Sequence, residues 1–170
     1  MIRQCEEKDL AEILSIYNEE LINTTAVYAY RPQTIEQRRA WYQDKIASGY
    51  PVLVCEESGS VAGFATYGQF RMLPAYKYTI EHSVYVDKRF RGRGIGSALL
   101  KEIINQATIH NYATIVAGID SQNEASIYLH KKLGFYHAGS IKRAGFKFGK
   151  WLDLEFYQLD LNGPKNPTED

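Results

Sequence analysis

The chain of 170 residues has little cysteine, no net charge and no apolar run of membrane-spanning length. Cys5 and Cys55 each sit in a strand-like segment. Two cysteines in a chain this size fit buried thiols in a cytoplasmic protein better than a disulfide scaffold. Neither has a second cysteine or a histidine at ligand spacing, so no metal is expected. Lys and Arg number 20 against 20 Asp and Glu, which argues against a general nucleic-acid binder. MIRQCEEKDL lacks the pattern of a signal peptide, so the expectation is a cytoplasmic protein with no membrane segment. Internal repeats and low-complexity linkers are also missing. Only the end of the chain, NGPKNPTED, has no apolar anchor, and residues 162–170 read as a flexible tail behind one domain over 1–161.

What is present suits a globular domain: 45% hydrophobic and 24% charged residues, in a length that supports one substantial core. MIRQC suggests a first strand. KDLAEILSIYNEEL places Leu10, Ile13, Leu14, Tyr17 and Leu21 on a helical face. Thr34 caps a second helix, with Gln37 as its capping-box partner and Gly49 at its end. PVLVCEE and VAGFATYGQF, joined at SGS, read as a hairpin, and YTIEHSVYV as the next strand. GIGSALLKEIINQATIH is a helix with Ile95, Leu99, Ile103 and Ile104 apolar. TIVAGI is apolar enough for a central strand. Asn123 caps a helix that stops at Gly134. FYHAGSI and KWLDLEFYQLDL close the chain as strands. The order is βααβββαβαββ, a mixed α/β (α+β) domain with a mostly antiparallel first half.

The densest local signal is EHSVYVDKRFRGRGIGS, residues 81–97. DKRFRGRG carries four cations in eight positions against one acid. Gly92, Gly94 and Gly96 alternate where strand gives way to helix. Glycines there let backbone approach a ligand, and the first amides of the helix lack intrahelical acceptors. Arg91 and Arg93 add charge, and a diphosphate is the natural guest. A Walker loop needs Lys-Ser/Thr after its last glycine, which is missing. A Rossmann turn needs a third glycine where Ser97 stands, and the upstream hairpin fits it poorly. The pattern Arg/Gln-x-x-Gly-x-Gly/Ala is met by Arg91, Gly94 and Gly96.

That pattern resembles the coenzyme A pyrophosphate signature of the GNAT N-acetyltransferases, and the resemblance covers most of the chain, including NEASIYLHKKLGF. Within that superfamily the chain is similar to the phosphinothricin and methionine sulfoximine/sulfone acetyltransferases, through IYNEELINTTAVY, EHSVYV and GFKFGKWLDLEFYQLDL. The resemblance implies the GNAT acyl-CoA N-acyltransferase fold, acetyl-CoA as co-substrate, no metal, and a homodimer. It also implies transfer of acetyl to the α-amine of a small amino-acid analogue. Val84, Tyr85 and Val86 would pair with the pantetheine arm. Arg91, Gly92, Arg93, Gly94, Ile95, Gly96 and Ser97 would enclose the pyrophosphate. Asn123 would contact the pantetheine, and it is equally a helix N-cap.

Amine acetylation needs a base, because a free α-amino group is mostly protonated near neutrality. Glu81 is the candidate, on the strand that would receive the thioester and on one face with Ser83 and Tyr85. His82 alternates to the other face: either a bulge turns it toward the acceptor, or it is a packed core histidine. His130 occupies the position at which many GNAT enzymes have a tyrosine proposed to protonate the leaving thiolate, and Tyr128 falls on another helix face. For the acceptor's carboxylate, Arg71 in QFRMLPAY is the expected cation. Met72, Leu73 and Tyr76 would form a loop wall, with Glu81, His82 and Ser83 beside it and Tyr28 and Tyr30 opposite. By the same resemblance, Lys147, Phe148, Lys150 and Trp151 lie where a dimer partner would approach. His110 and His137 read as incidental. Two other readings stay open: acetylation of a peptide or protein amine, and an acetyl-CoA-binding sensor without turnover.

Overall fold

In the computed structural model, which describes residues 1–169, the expected capping box is formed. Gln37 N donates to Thr34 Oγ1 at 3.3 Å and Thr34 N donates to Gln37 Oε1 at 2.9 Å. The helix it starts, α2, spans Ile35–Ala47; α1 spans Leu10–Asn23, α3 Ile95–Ile109 and α4 Glu124–Lys132. The strands are β1 Ile2–Gln4, β2 Val52–Glu57, β3 Ser60–Gln69, β4 Thr79–Val86, β5 Thr114–Asp120, β6 Tyr136–Lys147 and β7 Lys150–Asp160. This is the expected order. The chain falls into two compact units, residues 1–66 with 83–100 and residues 67–82 with 101 onward. Strand β4 contributes to both.

In the first unit, hydrogen-bonded neighbours run β1-β2-β3-β4. β1 pairs antiparallel with β2 (Ile2↔Cys55 to Gln4↔Leu53), and β2 with β3. Ser58 and Gly59 turn that hairpin with φ of 53° and 78°, the doubly positive geometry of a type I′ turn. Its core joins Cys5, Leu10, Ile13 and Ile16 to Val52, Val54, Val61 and Phe64, with Tyr17, Trp41, Tyr42 and Tyr85 packed against them. The buried stripe of α1 differs from the expected one. Ile16 and Glu20 are buried with Leu10, Ile13 and Leu21, whereas Leu14 is half-buried. Arg38 is also buried, its guanidinium 4.2 Å from the Tyr17 ring centre and 4.5 Å from that of Trp41. One backbone approach in this unit demands glycine. A Cβ at Gly63 would lie 2.7 Å from the Tyr85 carbonyl oxygen.

The second unit has neighbours in the order β4-β5-β7-β6. β4 and β5 are parallel from Thr79↔Thr114 to Glu81↔Val116, where the ladder ends. β5 pairs antiparallel with β7 from Thr114↔Asp160 to Asp120↔Leu154, which makes TIVAGID an interior strand as expected. Ile115, Val116, Ala117 and Ile119 are buried on it. β6 reaches Lys147, well past the expected FYHAGSI. The register slips between Ile141 and Gly145, Arg143 takes a φ of 55°, and its N–H bonds Asp153 Oδ1 at 2.8 Å. Such a bulge breaks the alternation by which a strand is read. Residues 161–169 form no helix or strand, and Thr168 N donates to Tyr78 Oη at 3.0 Å.

Candidate active site

The glycine turn belongs to the first unit. β4 ends at Val86, and Asp87 Oδ1 accepts from Arg89 N at 2.8 Å to cap the short 3-10 turn Lys88–Phe90. Gly92 and Gly94 follow with φ of 77° and 79°, conformations closed to most L side chains. A Cβ at either would meet nothing within 4 Å, so the turn faces open space. α3 begins at Ile95, and its first amides have no intrahelical acceptor. Residues 92–97 thus present backbone donors and a helix N-terminus to open space, a geometry that suits an anionic group. Ile95 is buried and anchors the turn, with Gly96 and Ser97 half-buried beside it.

The cations of this turn are all paired. Lys88 meets Glu19 at 2.6 Å, Arg89 meets Asp87 at 2.7 Å, Arg93 meets Glu57 at 3.0 Å, and Arg91 meets Glu20. The basic cluster visible in the sequence is therefore largely neutralised by acids, three of them from distant segments. A cavity of about 320 Å³ lies beside it, lined by Ser15, Ile16, Glu19 and Glu20 on one side and residues 87–89 on the other. Upstream, Val84, Tyr85 and Val86 are half-buried on β4. The Tyr85 ring stands edge-on to Tyr17 at 5.8 Å and tilted to Phe64 at 5.1 Å, and burial pushes its phenol up to about 12. Tyr28 and Tyr30 are exposed.

The second unit holds Glu81. Its carboxyl is half-buried, and burial raises its pKa, with Arg71 opposing the shift. β5 passes beside it at Gly118, where a Cβ would sit 3.0 Å from Glu81 Oε1 and 3.5 Å from Leu154. Gly118 is not among the residues expected at the site, although a glycine inside an apolar strand signals a close approach. Arg71 is exposed, lies over the Phe70 ring at 4.2 Å, and donates to the Phe70 carbonyl at 3.0 Å. Met72, Leu73 and Tyr76 are exposed on the same loop. Ser83, two residues beyond Glu81 on β4, is half-buried.

His82 and His130 form a buried pair. Their rings stack at 5.1 Å, both edge-on to Phe135, and their Nε2 atoms are 3.1 Å apart. His130 Nδ1 lies 2.7 Å from the Ser126 carbonyl, which can only accept. Nδ1 therefore carries the proton of neutral His130, its Nε2 is a bare acceptor, and His82 Nε2 donates to it. His82 Nδ1 is buried without a hydrogen-bond partner. This arrangement gives His82 the packed-core position and leaves His130 Nε2 without a proton to donate. Tyr128 is exposed. Asn123 does cap α4, accepting from Ser126 N at 3.1 Å. His110 contacts Tyr67 Oη at 2.7 Å, and His137 meets Glu155 at 2.6 Å. Lys147 is buried, whereas Phe148, Lys150 and Trp151 are exposed at the β6–β7 turn.

Burial, reinforced by His130, lowers the His82 pKa from 6.5 to about 3. Between those values the unfolded chain binds the proton and the fold does not. Stability is therefore full above about pH 6.5 and falls as pH drops toward about 3, by about 1.4 kcal/mol per pH unit per proton. Urea unfolding at about pH 7 and about pH 5 should show this loss. In His82→Phe the difference between the two midpoints should shrink; an equal loss in the variant would place the titration elsewhere.

Among the described residues, no group of three or more His, Cys, Asp or Glu is placed to hold a metal ion. No described helix is long and apolar enough to cross a membrane.

A strand that leads into a glycine turn and a helix N-terminus is a geometry that suits a phosphorylated ligand. The chain belongs to the GNAT acetyltransferases: the family described as "Acetyltransferase (GNAT) domain" matches residues 2–155. It is 44% identical over 161 residues to the L-methionine sulfoximine/L-methionine sulfone acetyltransferase of Salmonella typhimurium, covering 95% of this chain and 94% of that protein. The crystal structure of an N-acetyltransferase from Staphylococcus aureus Mu50 has a TM-score of 0.95 and 57% identity, over 95% of this chain and 98% of the other. A phosphinothricin acetyltransferase from Sinorhizobium meliloti, solved in complex with AcCoA, has a TM-score of 0.94 and 36% identity, over 99% and 93%.

Proposed function

We propose that this GNAT N-acetyltransferase moves acetyl from acetyl-CoA to the α-amine of a small amino-acid analogue of the methionine sulfoximine, methionine sulfone or phosphinothricin type. Glu81 carries the reading. It is a half-buried carboxyl on β4, the strand that leads directly into the glycine turn, and β5 keeps a glycine beside it. The activities for which the relatives are named support the substrate class.

When bound, acetyl-CoA supplies an activated thioester. The chain contributes position and a base. Backbone groups of Val84, Tyr85 and Val86 align the arm, and the turn from Arg91 to Ser97 holds the diphosphate. Glu81 takes the proton of the acceptor ammonium, directly or through water. A raised carboxyl pKa strengthens it as a base, and it works only above that pKa, where it is ionised. Arg71 receives the acceptor's carboxylate, with Met72, Leu73 and Ser83 alongside. We assign no proton transfer to His130, because its Nε2 accepts from His82. His82, buried and bonded to His130, takes no part in the transfer.

We also take the enzyme to be a cytoplasmic homodimer formed by one domain over 1–161. Cys5 and Cys55 are free and buried, and Phe146, Phe148 and Trp151 are exposed on the β6–β7 hairpin.

Thiol release from acetyl-CoA should be measured with methionine sulfone, methionine sulfoximine, phosphinothricin and a panel of peptides. Release on the amino-acid analogues and not on peptides is the expected result. Preference for peptides would replace the substrate class, and acetyl-CoA binding with no release on any acceptor would favour a sensor.

A further inference from the structure

Glu20 is a buried carboxylate that no part of the proposed chemistry uses. It lies in the last turn of α1, 8% exposed. Its Oε1 accepts from Arg91 Nη2, and its Oε2 lies 3.2 Å from Thr24 Oγ1. Its carbonyl accepts from Thr24 N at 3.0 Å and Thr24 Oγ1 at 2.8 Å, which closes the helix end. A carboxylate withdrawn from water this far requires a cation, and breaking such a pair leaves an uncompensated charge.

Arg91 is held from two directions. Its Nη2 reaches Glu20, and its Nε points to the Val86 carbonyl at 3.4 Å. Engaged with Glu20 in this way, the guanidinium is a paired cation rather than a free one, although about half of its side chain remains exposed. Arg91 immediately precedes Gly92, so the pair ties the first residue of the glycine turn to the end of α1. Lys88 and Glu19 make a second tie close by, more exposed and therefore weaker.

We infer that Glu20 is a positioning residue for the coenzyme-binding turn, and that Arg91 acts through Glu20 rather than as a free cation on the pyrophosphate. This rests on the reading of the turn as the acetyl-CoA site. The phosphate contacts are then left to the amides of the turn and helix α3, and the pair sets where those amides point.

The test is a double-mutant cycle on Glu20→Ala and Arg91→Ala, read as KM for acetyl-CoA, KM for methionine sulfone and kcat. Each single variant should raise the acetyl-CoA KM by about tenfold, within the range of coupling between contacting residues. Acceptor KM and kcat at saturating acetyl-CoA should stay near wild type. The double variant should be no worse than either single. Glu20→Gln, which keeps an acceptor for Arg91, should fall between wild type and Glu20→Ala, and it replaces Glu20→Ala in the cycle if thermal melting shows that variant unfolded. The salt dependence of the acetyl-CoA KM should be the same in wild type and Arg91→Ala, because no phosphate–cation contact is lost. Multiplying effects in the double variant, or a flatter salt dependence in Arg91→Ala, would show Arg91 on the phosphate directly and overturn the inference. Failure of the wild-type protein to bind acetyl-CoA would remove the coenzyme reading itself, a result distinguishable because it precedes any variant.

Discussion

Glu81→Gln should keep the acetyl-CoA KM near the wild-type value and lower kcat by about 10²-fold or more, the range of a positioned general base. Glutamine fills the same space and keeps hydrogen-bonding capacity, but it cannot accept the ammonium proton. The carboxyl is half-buried against Gly118, and burial raises its pKa. Wild-type kcat/KM should therefore fall on the acid side as Glu81 becomes protonated. In the variant the loss should be most severe at the lower pH values where wild-type Glu81 is still ionised and few acceptor amines are neutral. At high pH the free amine needs no base, and the two enzymes should converge. Steady-state kinetics across pH check this. An unchanged kcat/KM at every pH would remove Glu81 from the mechanism.

The second large effect is structural. Gly63→Val should lower stability by about 2 to 3 kcal/mol, the cost of overpacking a closed interior. The added Cβ would meet the Tyr85 carbonyl at 2.7 Å, and the Leu99 and Ile95 side chains lie only 3.2 and 3.3 Å away. Backbone cannot yield as a flexible side chain does, so β4 must shift. Because Tyr85 lies on the segment proposed to align the acetyl arm, the acetyl-CoA KM should rise together with the loss of stability. The urea midpoint and that KM are the paired readouts. An unchanged midpoint would mean that the first unit absorbs the side chain without moving β4.

Local signals carried most of the fold. The Thr34–Gln37 box, the Asn123 cap, the Gly134 stop and the order of elements are each set by a few neighbouring residues, and each appears as expected. β6 runs past its expected end because the slip after Ile141 destroys the period-2 pattern. The glycine turn was also legible, since its residues are consecutive. Its charge balance was not. Four cations in eight residues look like a basic patch until Glu19, Glu20 and Glu57 are brought beside them by the fold. Gly118 and the His82–His130 pair were hidden for the same reason: each depends on partners from other strands or helices. For His82, alternation left two possibilities, and burial beside His130 and Phe135 supports the packed one.

The most direct measurement is identification of the product formed from acetyl-CoA and methionine sulfone. One N-acetylated amino acid is expected for each coenzyme A thiol released, with the acetyl located on the α-nitrogen by mass spectrometry. Thiol release without an acetylated amine, or acetyl found on another group, would contradict it.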